Sequence, residues 1–121
     1  MSIDVFAWAQ AGMVSRAQAL SLLSKGQVRW LLERGRWQVI HPGVYQTHTG
    51  PLTYQARAWA ALLHYGPGAA LALDSAAYLL GIESREPALV HVDVPEPVRR
   101  DAVSGVIVRR RRRLATVRRQ G

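Results

Sequence analysis

The 121 residues include no cysteine and a single lysine, Lys25. Without cysteine there are no disulfides, no thiol catalysis and no cysteine-rich zinc sites, and the chain suits a reducing cytosol, so a cytoplasmic location is expected. Also missing is any apolar run of the ~18–20 residues that a transmembrane helix needs. The most apolar stretch, AWAALLHYGPGAALALDSAAYLLGI, is cut by His64, Gly66, Pro67, Gly68 and Asp74. The opening MSIDVFAWAQ has an acid at position 4 and no basic n-region, so it is not a secretory signal, and a soluble protein is expected. No Gly-x-Ser-x-Gly and no glycine-rich phosphate loop occur. The histidines, at 41, 48, 64 and 91, are scattered without metal-ligand spacing. Asp93 and Glu96 have no lysine nearby to complete a Mg²⁺ nuclease site. Neither catalysis nor a metal or other cofactor is expected.

What the chain does have is positive charge, +8 in total with an isoelectric point near 11.3, unevenly spread. Residues 1–48 carry Arg16, Lys25, Arg29, Arg34 and Arg36 against Asp4 and Glu33, a net of +3. Residues 49–97 carry Arg57 and Arg85 against five acids, a net of −3, and residues 98–121 carry nine arginines against Asp101. Basic ends around an acidic middle point to a polyanion, with nucleic acid ahead of an anionic membrane surface. About half of the residues are apolar, enough for a core.

Periodicity and punctuation predict the elements. Residues 3–11 read as a helix with Ile3, Val5, Phe6 and Ala9 inward and Gly12 as its stop. Ser15 with Gln18, and Ser24 with Gln27, each fit a capping box, in which the Ser hydroxyl and the Gln amide satisfy backbone groups at a helix start. They predict helices over 16–22 and 25–34, with Ala19, Leu20 and Leu23 buried on one and Val28, Leu31 and Leu32 on the other, and Gly35 closing the second. Two capped helices joined by so short a turn have the spacing of a helix-turn-helix. RWQVIHPGVYQT then alternates as a hairpin turning at His41, Pro42 and Gly43. Helix, helix, helix, hairpin is a winged-helix order.

The second half predicts an alanine-rich helix from Thr53 to Gly66, a shorter one opened by Asp74 or Ser75 and closed by Gly81, and strands at ALVHVDVP and SGVIVRRRRRL. The expected fold class is therefore α+β: a winged helix-turn-helix over 1–48 and a small mixed helix and strand domain with a basic tail over 49–121.

With Val28, Leu31 and Leu32 inward, the third helix turns Lys25, Gln27, Arg29, Trp30, Glu33 and Arg34 outward. The N-terminal residues of the second helix of a helix-turn-helix reach base edges, where Arg and Gln make the bidentate contacts that discriminate guanine and adenine. Arg16, Arg36 and His41 stand where phosphates would pass. In the run 109–113, Arg109 and Arg111 are candidates for salt-dependent phosphate contacts that carry no sequence information. Trp30 is expected half-packed under the hairpin.

The stretch GMVSRAQALSLLSKGQVRWLLERGRWQVIHPGVY resembles the N-terminal winged-helix segment of the AbiEi-like type IV antitoxin family. The likeness rests on Gly35-Arg36-Trp37 and His41-Pro42-Gly43-Val44-Tyr45, then more loosely on Gly66-Pro67-Gly68, SAAYLLGI and VHVDVP, and covers residues 5–114. It implies a domain that binds double-stranded DNA at the operator of its own operon and represses it, with a functional link to a cognate nucleotidyltransferase-like toxin. Members often continue into a further domain, some of it endonuclease-like, so this chain reads as a short member or a fragment. Two other readings stay open: a protein-interaction module, or the DNA-targeting part of a nuclease whose catalytic domain is absent. No dimer seam is legible.

Overall fold

The computed structural model describes residues 2–111, which form a mixed α and β structure of five helices and two three-stranded sheets. Contacts divide the chain into two compact units, 1–64 and 65–121.

In the first unit the order is α1 (Ile3–Ala9), β1 (Met13–Ser15), α2 (Arg16–Leu22), α3 (Lys25–Glu33), β2 (Gln38–His41), β3 (Val44–Gln46) and α4 (Tyr54–Tyr65). Both expected capping boxes are present, at Ser15 with Gln18 and at Ser24 with Gln27. At the other end of α3 the Gly35 N–H donates to the Leu32 carbonyl at 3.1 Å and the Arg36 N–H to Leu31 at 3.0 Å. That is a Schellman closure, and the φ of +72° at Gly35 is what it demands. Start and stop of α3 are thus fixed by side chains and turn geometry rather than by helix propensity.

The sheet runs β1-β3-β2, antiparallel throughout, with a bulge between Val39 and His41. Alternation along β1 and β3 sends Val14 and Tyr45 to one face and Met13 and Val44 to the other. The first face packs with Ala19, Val28 and Trp37, and with Ile3, Phe6, Leu20, Leu23, Leu31 and Leu32 from the three helices. The second packs on Ala56 and Ala60 of α4. α4 starts as expected, since the Thr53 hydroxyl accepts the Ala56 N–H at 3.1 Å. It belongs with the first unit, so the change of texture near residue 51 opens a helix of that unit.

Three expectations are corrected here. α1 ends at Ala9, and it packs the partly buried Ile3, Phe6 and Ala7 against the core while Val5 and Ala9 face outward. β1 is a strand that the sequence pattern does not predict. Ala11 and Gly12, with φ of +56° and +87°, reverse the chain before it. A Cβ at Gly12 would lie 2.6 Å from the His48 ring, so that position holds only glycine.

The second unit holds β4 (Ala70–Leu71), α5 (Leu73–Leu79), β5 (Val90–Pro95) and β6 (Val106–Arg111). β4 pairs antiparallel and β6 parallel to β5. Val90, Val92 and Val94 form its buried face. α5 has no side-chain cap; Ser75, expected at its start, is buried and accepts the His91 N–H at 2.7 Å.

Candidate nucleic-acid interface

The exposed side of α3 divides into two flanks. On the first, Arg16 from the start of α2 joins Lys25, Arg29 and Glu33 of α3 around a shallow depression of about 220 Å³, floored by Val28 and Leu32. Arg16 is set there by two hydrogen bonds in sequence. Ser15 caps α2 through the Gln18 N–H at 3.1 Å, and the Arg16 N–H donates to the Gly43 carbonyl in the hairpin turn at 2.8 Å. Lys25 and Arg29 lie one helical turn apart, a like-charge spacing that costs an isolated helix a few tenths of a kcal/mol. Three cations tempered by one carboxylate make a site that an anion would stabilise.

The second flank centres on Trp30, which is 43% exposed. The guanidinium carbons of Arg34 and Arg36 stand over its ring at 5.1 and 5.2 Å from the centroid. Cation–π attraction of this kind holds flexible arginines in place without neutralising them. Beside the indole lies an open, mainly apolar groove lined by Leu23, Gly26, Gln27 and Leu31. The expectation that Trp30 packs under the hairpin is not met: its ring meets the two arginines and the groove.

Gln27 does not stand free to read bases. Its Oε1 accepts the Ser24 N–H at 2.8 Å, and its own N–H donates to the Ser24 hydroxyl at 3.0 Å. Bidentate recognition of adenine needs the amide oxygen that the cap already occupies. The spacing that identified the cap could have excluded this residue from the reading set.

His41, expected at a phosphate, lies against α4. It is half-buried at the end of β2, with its ring centroid 5.7 Å from that of His64 in the last turn of α4. Burial, and then the neighbouring His64, hold its pKa below the ordinary 6.5, which favours the neutral ring.

In the second unit, Arg109 Nε donates to Asp93 Oδ1 at 3.1 Å, and Arg111 Nε forms an ion pair with Oδ2 at 3.0 Å. The parallel register sets Asp93 opposite Arg109, with Arg111 two residues on and on the same face. Arg110 points the other way, and its Nε donates to the Val98 carbonyl at 3.1 Å. The two arginines were expected as phosphate contacts, and Asp93 was considered only as a nuclease carboxylate without a lysine. Instead the carboxylate draws both guanidiniums onto itself and leaves the trio one net positive charge. Arg112 and Arg113 lie outside the described residues.

Among the described residues no group of three or more His, Asp or Glu is arranged to hold a metal ion, and no helix is long and apolar enough to cross a membrane. Of the residues singled out in the sequence, the structure groups Arg16 with Lys25 and Arg29 and sets Arg34 and Arg36 over Trp30; neither grouping, nor the groove at Leu23 and Gly26, was expected from the sequence. A glycine inside a capped helix was the available signal. Among known proteins, no family model and no curated sequence matches the chain, so the antitoxin likeness rests on its motifs.

Proposed function

We propose that the first unit is a DNA-binding winged helix-turn-helix, with α3 as its reading helix, and that the protein is a transcriptional regulator of the antitoxin type. The observation that carries the DNA reading is the convergence of Arg16, Lys25 and Arg29 on one exposed depression. The order helix, strand, helix, helix, hairpin, with the first strand paired to the hairpin, supports the winged-helix description. Arg29, Trp30 and Arg34 then present themselves to the major groove, and Arg16, Lys25 and Arg36 to the flanking phosphates. The operator of its own operon as target, repression, and a link to a nucleotidyltransferase-like toxin are proposals that rest on the family resemblance alone.

Affinity for random double-stranded DNA at two salt concentrations tests the reading. A DNA binder of this charge loses affinity steeply, roughly as the number of phosphates neutralised. Absence of duplex binding at low salt would favour the rival protein-interaction module. The strongly exposed Trp8, Leu80 and Ile82 would then be the first surfaces to probe.

A further inference from the structure

Gly26 sits in the first turn of α3 in an ordinary helical conformation, and a Cβ there would find only the Ser24 hydroxyl, at 3.9 Å. Neither backbone geometry nor crowding requires a glycine, and a helical glycine lowers stability relative to alanine. What the missing side chain does provide is space. Gly26 lies one turn before Trp30 on the same flank and, with no side chain to reach across, lines the open groove walled by Leu23, Leu31 and the indole. The rim is cationic, with Arg34 and Arg36 over the indole, so the occupant arrives attached to negative charge. A base cannot stack over the ring where the guanidiniums stand without displacing them.

The major groove of a DNA duplex offers one apolar group, the C5-methyl of thymine. We infer that Trp30, with the groove opened by Gly26, is a thymine-reading element. The methyl lodges between the indole edge and Leu23 or Leu31, while Arg34 and Arg36 meet the phosphates or base edges alongside. This inference rests on the DNA-binding reading above and adds the base class and the residues that select it.

The test starts by selecting a preferred duplex from a random library with the full chain. Each thymine of that duplex is then replaced in turn by deoxyuridine, which removes the methyl and keeps every hydrogen-bonding group. At one or two positions the wild-type protein should lose affinity on the order of fourfold, the worth of one buried methyl-sized group. Trp30→Ala should bind the thymine and deoxyuridine duplexes alike. Gly26→Leu, whose side chain is long enough to reach into the groove, should also lose the difference while melting no lower than wild type. A preferred duplex whose thymines can all be replaced without loss would overturn the inference and leave DNA reading intact. Failure of any duplex to outcompete random DNA would overturn both.

Discussion

The backbone N–H of Arg16 donates to the carbonyl of Gly43, at 2.8 Å, across 27 positions of sequence. The first residue of α2 is thereby tied to the turn of the hairpin, and one of the unsatisfied donors of a helix start is answered by the strand pair. A candidate phosphate-binding side chain and the hairpin therefore move as one piece.

That tie depends on the turn. Gly43 has a φ of +75°, and a Cβ there would meet nothing nearer than the Arg16 Cβ at 4.0 Å. Gly43→Ala should cost about 1–2 kcal/mol through backbone strain alone. Thermal melting should show a drop of several degrees. An unchanged melting temperature would mean the turn relaxes into another form.

Gln27 should matter to stability and not to sequence preference, because its amide closes the cap of α3. Gln27→Ala should destabilise by about 0.5–1 kcal/mol, part of the worth of such a cap. Its ranking of duplexes in a selection experiment should match that of wild type. A changed preference at one base pair, with stability intact, would return Gln27 to the reading set.

Much of the first unit was legible because its signals are local. Two serines with glutamines three residues on, a glycine after α3 and a Pro-Gly turn each report on neighbours in sequence, and each holds in the structure. β1 was not legible. It is three residues long, and its partner β3 lies 29 or more positions away, so only the pairing reveals it. The faces of α1 went wrong for a related reason: a seven-residue helix spans two turns, too few for periodicity to separate Val5 from Ala7. The fate of Asp93 was hidden in the same way, since nothing local says that β6 runs parallel to β5 and brings two arginines to one carboxylate.

Asp93 restrains those arginines. Their side chains are 43% and 46% exposed, so the two ion pairs together contribute about 1 kcal/mol or less after solvent screening. Asp93→Asn should therefore cost little stability while raising affinity for random duplex DNA. The salt slope should steepen by about one unit for each guanidinium that gains a phosphate. Unchanged affinity and slope would show that this strand does not meet nucleic acid.

His41 gives the stability a pH dependence with a defined sign. Its folded pKa is depressed, by burial first and by His64 second, below the ordinary 6.5. Between the folded value and 6.5 the unfolded chain binds more protons, so stability is fully present above 6.5 and falls as pH drops through that window. Melting temperatures of wild type should decline on acidification below 6.5, and those of His41→Gln should decline less. Parallel pH profiles for the two proteins would place the titrating group elsewhere.

The central claim is that α3 reads DNA from a scaffold fixed by its cap and closure. The most direct measurement is the affinity of Arg29→Ala for a selected duplex and for random DNA, beside wild type. The predicted result is a loss of ~1–3 kcal/mol on the selected duplex, with preference relaxed at one base pair and a smaller loss on random DNA. Equal losses on both duplexes, with the preference intact, would make Arg29 a phosphate contact and contradict the claim that it reads a base from α3.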